Sequence, residues 1–283
     1  MYMRNNLKLG VAVAAMIAVI GFSSSTTLAQ GLDCGCIDAV FVVDTSGSMG
    51  GAIDNVKAGL GNILAVAKQK AGGDLRVGVV QFSNVGEEIN VVLPYSSDNA
   101  AIAAAVNSLA AGGGGGEPES MDDAVWYVAT GATNHACTLQ TPGGALGGAR
   151  PVCLKKMFVI TDARPGGCND TYTVGDDDVS SHNAAKAADA AGWRINSIHV
   201  LNGFEDAVSG AIMTNMSATT GGTYTEVPAN GDGTANAILG KFLDCGGAGP
   251  SVPALSEWGV AALVLVVLAG LTIKFGRRER VTA

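Results

Sequence analysis

Only three histidines occur in the 283 residues, aromatic residues make up 5% of the chain, and Lys plus Arg number 17 against 25 Asp plus Glu. Each shortage removes a class of function. His135, His182 and His199 share no spacing that would assemble a catalytic set, and they read as structural or surface residues. No GxSxG surrounds any serine, so a nucleophile-elbow hydrolase lacks its motif. No GxxxxGK[ST] follows the glycine run Gly112–Gly116, which therefore reads as a flexible approach rather than a phosphate cradle. Cys34, Cys36, Cys137, Cys153, Cys168 and Cys245 include no CxxC pair and no zinc spacing with histidine. The deficit of positive charge deepens away from the ends: residues 30–258 hold 11 basic and 24 acidic side chains, a net charge of −13. Such a surface repels phosphate backbones, which argues against nucleic acid as a partner and makes cations the natural counterpart.

Long apolar runs are also scarce, and the two present lie at the ends. Residues 1–29 read as a secretory signal, with Arg4 and Lys8 ahead of the apolar stretch Leu9–Phe22 and small residues for cleavage after Ala29. The stretch Gly259–Ile273 is marginal for spanning a ~30 Å hydrocarbon core, and Arg277, Arg278 and Arg280 behind it place the C-terminus on the cytoplasmic side. Residues 258–283 are thus expected to be a transmembrane or sorting segment, joined by a linker, 246–257, to a domain at 30–245. The residues VPALSEWG, the apolar run and the basic tail resemble the IPTL-type C-terminal sorting signals of Gram-negative surface proteins. Val252 and Ala254 stand where that pattern has isoleucine and threonine. The resemblance implies export to the envelope or cell surface of a Gram-negative bacterium, the tail being cytoplasmic until any processing. A permanent single-span anchor is the other reading.

The body alternates between strand and helix patterns. Strands are expected at Asp38–Val43, Leu75–Phe82, Ile89–Leu93, Met157–Thr161, Arg194–Val200 and Gly222–Glu226, with helices at Gly50–Lys70, Asn99–Leu109, Met121–Gly131, Val179–Ala191, Phe204–Met216 and Ala235–Leu243. VFVV and MFVI are continuously apolar, as strands covered on both faces are. The expected fold is α/β: a doubly wound, mainly parallel, six-stranded sheet. The third strand follows the second too closely for a parallel crossover, so it pairs antiparallel at one edge. Six cysteines in an exported domain allow fifteen pairings. The topology puts Cys245 beside Cys34 or Cys36 at the strand-start edge and Cys137 near Cys153, leaving the partner of Cys168 open.

Ligands of open parallel sheets bind beyond the carboxyl ends of the strands. Three loops bring oxygen there: DTSGS with Asp44, Ser46 and Ser48; EPES with Glu119 ahead of a helix; and FVITDA with Asp162 at a strand end. Hard oxygen donors without sulfur or imidazole suit Mg²⁺, Mn²⁺ or Ca²⁺. Taken alone, DTSGS also reads as a helix cap. FVVDTSGSM resembles the DxSxS metal-ion-dependent adhesion site of von Willebrand factor type A domains, whose Rossmann-like fold is the sheet described above. FVITDA is similar to that family's distal aspartate strand, and EPES to the loop in which integrin beta-chain inserted domains supply a glutamate. The resemblance implies Asp44, Ser46, Ser48, Glu119 and Asp162 as ligands of one divalent cation, with Mg²⁺ expected and Mn²⁺ or Ca²⁺ as alternatives. Gly51 and Ala52 replace the acidic pair that would hold an adjacent ion, and glycines replace the residues of the other accessory site, so one metal is expected rather than three.

Asp176, Asp177 and Asp178 lack EF-hand spacing and read as a solvated loop. A haloacid-dehalogenase-type phosphatase would need a second aspartate two residues after Asp44, where Ser46 stands and cannot serve as general acid. The expected function is non-enzymatic: cell-surface or secreted binding of a protein or matrix ligand that offers a carboxylate, with membrane association through the C-terminal segment. The alternative is an envelope assembly component using the same site for subunit contacts, with a metal-dependent hydrolase behind both.

Overall fold

Ile37–Asp44 (β1) reads IDAVFVVD, and all eight of its residues are buried. Alternate side chains serve two cores. Ile37, Ala39, Phe41 and Val43 join one apolar cluster, and Val40 and Val42 join the other. This is why the sequence shows a continuous apolar run instead of alternation. A computed structural model describes residues 34–84, 89–113, 118–133, 145–166, 171–204 and 206–245. The signal and C-terminal segments, His135, Cys137 and Cys168 lie outside these residues. Among the described residues, no helix is long and apolar enough to cross a membrane.

The remaining elements are α1 (Gly50–Lys70), β2 (Leu75–Phe82), β3 (Asn90–Ser96), α2 (Asn99–Ser108), α3 (Met121–Thr130), β4 (Leu154–Thr161), α4 (Asp177–Ala190), β5 (Trp193–Val200), α5 (Asp206–Thr219), β6 (Tyr224–Val227) and α6 (Thr234–Leu243). They form the expected doubly wound sheet in the order β3-β2-β1-β4-β5-β6, parallel throughout except for β3, which pairs antiparallel with β2. Helices α1, α2 and α6 cover one face, and α3, α4 and α5 the other. In α1 the buried positions Ile53, Val56, Leu60, Ile63, Leu64 and Ala67 recur at the helical three-to-four spacing. Phe41, Phe158 and Phe242 stack in series, with ring centroids 5.5 and 4.9 Å apart, and so seat α6 on the sheet.

Several boundaries differ from the sequence expectation, β4 starting at Leu154 rather than Met157 and the fifth helix spanning Asp206–Thr219 rather than Phe204–Met216, and three differences have identifiable reasons. β3 continues through Pro94 to Ser96, because an edge strand can spare an N–H and the pairing with β2 is shifted around Val79. β6 starts at Tyr224 rather than Gly222, since a Cβ at Gly222 would lie 1.9 Å from Ile195 O and that residue serves a tight backbone crossing. The acidic triplet opens α4 instead of forming a solvated loop. Asp177 is buried and accepts from Thr173 N at 2.6 Å, while Asp178 accepts from Gly175 N at 2.7 Å. Carboxylates at a helix start are favoured by the dipole and satisfy free N–H groups.

Two disulfides close the strand-start edge. Cys34–Cys245 ties the two ends of the domain together, as expected. Cys153 pairs with Cys36, not with the anticipated Cys137. Register is the reason: Ile37 lies opposite Leu154, and Leu154 N donates to Cys36 O at 2.9 Å, so the residues preceding β1 and β4 are neighbours. On the same edge the buried Lys156 ammonium donates to the carbonyls of Lys241 and Asp244 at the end of α6.

Asp38 anchors this edge electrostatically. Its buried carboxylate accepts from Arg76 Nε at 2.9 Å and Nη2 at 2.5 Å, and from Arg150 N at 2.6 Å and Nε at 2.9 Å. Burial pushes its pKa up, but the hydrogen bonds from Arg76 and Arg150 more than offset this, holding it below the ordinary carboxylate value. A depressed folded-state pKa contributes stability that is present above the unfolded value and is lost as pH falls through the folded one. Asp38→Asn should therefore cost about 3 kcal/mol near neutrality, less than a fully buried pair because both arginines are partly exposed, and should flatten the acid limb of stability. Denaturant unfolding by circular dichroism between neutral and strongly acidic pH checks both; an unchanged acid limb would refute the assignment.

Candidate metal centre

The strand order reverses direction between β1 and β4, which leaves a crevice beyond their carboxyl ends. Asp44 is the last residue of β1, and Asp162 follows the last residue of β4. Asp44 lies fully buried at the floor, with Oδ1 accepting from Ser46 N at 2.8 Å and Oδ2 accepting from Thr161 Oγ1 at 2.6 Å. Ser46 and Ser48 rise from the turn ahead of α1, their hydroxyl oxygens 3.3 Å apart. The turn is pinned on both sides: Thr45 N donates to Phe82 O at 2.9 Å, Gly112 N to Thr45 O at 3.0 Å, and Gly47 N to Gly113 O at 3.2 Å.

Glu119 arrives from a different direction but is held as firmly. Its residue forms isolated bridges with Asn84 beyond β2 and with Pro165 beyond β4. Glu119 N donates to Arg164 O, and Gly166 N donates to Glu119 O, each at 2.9 Å. A non-helical, non-strand segment is thereby stitched across the sheet edge, and Glu119 is 2% exposed. Ser46, Ser48, Glu119 and Asp162 together line one cleft of about 460 Å³, with Asp44 beneath it. Four of the five residues singled out from sequence therefore line one cleft, and Asp44, which does not line it, is joined to it through its bond from Ser46 N and the charge of Asp162.

Charge and burial in the cleft bear on whether an ion fits. Burial pushes the Asp44 carboxyl up to about 7, with neighbouring Asp162 adding to the rise and the Thr161 and Ser46 hydrogen bonds opposing it. Burial likewise raises Asp162, with partial relief from Ser48. Asp162 Oδ2 is buried without a hydrogen-bond partner. Such an atom is costly unless something satisfies it, and a hard divalent ion suits an all-oxygen donor set. Among the described residues, no three His, Cys, Asp or Glu side chains are grouped so that they could hold an ion by themselves.

Steric fit explains the glycine at position 51. A Cβ there would fall 2.2 Å from Asn230 O, and one on Gly231, whose φ is +73°, would fall 2.2 Å from Ala52 N. The loop between β6 and α6 packs backbone to backbone against the start of α1, so no acidic side chain fits at position 51. Sequence reasoning missed four contributors. Thr161 orients Asp44; its signal was a lone hydroxyl in an apolar strand. Asn202, whose Nδ2 donates to Asp162 O at 3.0 Å, lies just beyond β5, an end of a parallel strand that the same edge rule covers. Arg164 and Phe204 line the cleft rim. His182 Nδ1 meets Asn215 Oδ1 at 2.9 Å, and the buried His199 Nδ1 meets the Tyr224 hydroxyl at 2.8 Å while its ring feels the charges of Asp206 and Asp162.

The sequence profile of the von Willebrand factor type A domain matches residues 39–164, and that of the IPTL-CTERM motif matches residues 250–278. The chain carries a von Willebrand factor type A domain. The profile match ends just beyond β4, and β5 and β6 complete the sheet of the type A domain. Similar solved structures include the SpRpn10 VWA domain, at 12% identity and TM-score 0.48 over 75% of this chain and 98% of that one. They include the vWF domain of the type V pili tip protein Mfa5 from Porphyromonas gingivalis, at 12% identity and TM-score 0.47 over 74% and 94%. The pilus adhesin SpaC from Lactobacillus rhamnosus GG is similar at 17% identity and TM-score 0.49 over 74% of this chain and 29% of that one. No curated protein sequence matches the chain.

The raised carboxyls carry a pH signature for the metal-free type A domain. A folded-state pKa above the unfolded value contributes stability that is present below the unfolded pKa and declines as pH rises through the folded one. In chelator, the unfolding midpoint should fall as pH rises from about 4 to about 7. Asp44→Asn should remove much of that slope. Thermal unfolding across this range checks it, and an equal slope in the variant would rule out Asp44 as the source.

Proposed function

We propose that this type A domain is an exported, surface-associated binding module that engages a protein ligand through one divalent cation, magnesium being the expected ion. The carrying observation is the meeting of Ser46, Ser48, Glu119 and Asp162 in one cleft above Asp44, with a buried, unpartnered Asp162 oxygen among them. Asp44, Ser46, Ser48, Glu119 and Asp162 are the residues that would hold the ion. When bound, a hard divalent ion supplies positive charge and a coordination position open to an oxygen from outside, typically a partner's Asp or Glu. The protein's own part is positional. Thr161 and Ser46 N fix the Asp44 carboxylate, the bridges at Asn84 and Pro165 fix Glu119, and Asn202 fixes the backbone of Asp162. The domain's strong negative charge disfavours carboxylates elsewhere on its surface, which favours one defined point of attachment.

A non-catalytic role is part of this reading. Ser46 occupies the position where a general acid would be needed, and His182 and His199 are engaged by Asn215 and Tyr224 instead of a serine. The C-terminal IPTL-CTERM motif supports delivery to the envelope.

Calorimetric titration of the chain with Mg²⁺, Mn²⁺ and Ca²⁺ tests the site. One ion per chain is expected, with affinity weakened at least about 10–100-fold in Asp44→Ala and in Glu119→Ala. Silence in the wild-type protein would leave DTSGS as a helix cap. Pull-downs from envelope fractions and from foreign matrix proteins, each with and without chelator, then separate an external ligand from a neighbouring envelope subunit. For the tail, a chain ending before Val252 should appear in the medium; its retention at the envelope would refute the sorting role.

A further inference from the structure

The net charge of −13 over residues 30–258 is unevenly shared. Eight of the 11 basic side chains stand at the strand-start edge, opposite the cleft. Lys68 and Lys70 close α1, and Lys241 lies in the last turn of α6. Arg76, Lys155, Lys156 and Arg194 fall within the first three residues of β2, β4 and β5, and Arg150 binds Asp38 beside them. Asp38, Asp74, Asp98, Asp189 and Asp244 offset five of these charges. The rest of the described domain holds Lys57, Arg164 and Lys186 against twelve acidic side chains. The domain is therefore positive at one edge and negative over the remainder.

Apolar side chains face solvent at the same edge. Val152, just ahead of β4, is 73% exposed, and Leu243, the last residue of α6, is 52% exposed. Val152, Lys155 and Arg194 line one groove of about 430 Å³, so apolar and cationic groups lie side by side. Helix ends account for part of the charge. Lys155 Nζ donates to Ala191 O at 2.6 Å and Arg194 Nη1 to Gly221 O at 3.1 Å, and Lys68, Lys70 and Lys241 suit the negative end of a helix dipole. That need gives no reason for a valine and a leucine in solvent among them. Basic heads around apolar side chains suit the headgroup layer of an anionic membrane, where stems lie along apolar material and charges meet phosphates. The attraction is one of summed charge within a Debye length of about 8 Å, and it needs no vacant donor.

The chain also leaves the domain here, because Cys245 is held to Cys34 ahead of β1. From Cys245 to the apolar run that starts at Gly259 there are 14 residues, a reach of at most about 50 Å. A tether of that length raises the effective concentration of the positive edge at whatever surface holds the tail. We propose that the strand-start edge docks on an anionic lipid surface, resting on the surface association proposed above, and so turns the cleft at the opposite edge outward. The part of the domain left to partners is then its acidic remainder.

The test uses the full chain in chelator, so that no cation bridges protein and lipid and the outcome is independent of the metal site. Co-sedimentation is measured with vesicles of phosphatidylcholine and with vesicles in which about a third of the lipid is phosphatidylglycerol. The tail contributes equally to both. The edge should tighten binding about tenfold or more on the anionic vesicles at about 20 mM salt, and the gain should vanish at about 500 mM. Lys68→Glu/Lys70→Glu should erase the gain, whereas Lys57→Glu/Lys186→Glu, an equal change of charge away from the edge, should keep most of it. Thermal unfolding checks that both variants are folded. On anionic vesicles an amine-reactive reagent should label Lys68, Lys70 and Lys241 several-fold more slowly, with Lys57 and Lys186 unaffected. Equal binding to both vesicle types, or equal losses in the two variants, overturns the docking edge and leaves the tail's surface role standing. Binding to anionic vesicles alone removes the tail from the membrane and leaves the edge standing. Absence of binding to either overturns both, and duplex DNA held as tightly as the anionic vesicles overturns the choice of lipid.

Discussion

Burial of β1 on both faces is the constraint from which the rest of the domain follows. A strand without a solvent face takes apolar side chains throughout, and its first opportunity to end in polar groups is the sheet edge. Asp44 sits at that point, fully buried and tied to Thr161 on the neighbouring strand. Because β1 has parallel partners on both sides, the chain must leave each strand at the same edge, and the loops after β1, β2 and β4 gather there. The site is a consequence of the winding of the sheet.

The two edges of the sheet are built for different purposes. At the strand-start edge, charges are compensated and cross-linked: Asp38 is surrounded by Arg76 and Arg150, Lys156 covers the end of α6, and two disulfides join the strand starts to distant parts of the chain. At the opposite edge, Asp44 and Asp162 are both buried and both shifted upward, and Asp162 Oδ2 has no hydrogen-bond partner. Stability is concentrated away from the cleft, which leaves the cleft free to hold groups that oppose folding when nothing is bound. Backbone hydrogen bonds at Thr45, Glu119 and Gly166 keep those groups in place despite the repulsion.

The order of elements and the two-faced cover of the sheet were legible because periodicity reports burial directly: VFVV and MFVI show no alternation, and α1 repeats its apolar residues at helical spacing. Boundaries were less legible where a long-range contact overrides local preference. Pro94 lies inside β3 only because that strand has one neighbour, and Gly222 precedes β6 at a backbone crossing where Ile195 leaves no room for a side chain. The acidic triplet at 176–178 looked like a solvated loop because composition alone does not reveal that Asp177 caps the turn at Thr173. Cys153 pairs with Cys36 because of strand register, which spacing along the chain does not encode.

By itself the sequence determined the fold class, the C-terminal sorting motif, and the identity of the oxygen-bearing residues, because these depend on periodicity, composition and short motifs. The tertiary structure decided what those residues share. It alone brought Glu119 across the edge between Asn84 and Pro165, set Thr161 and Asn202 behind the two aspartates, and placed Arg164 against Tyr172 and Phe204. The physical reason is that a motif fixes only neighbours in the chain. A cleft is made of groups that are distant in sequence, and their approach depends on sheet order, register and the packing of helices on both faces.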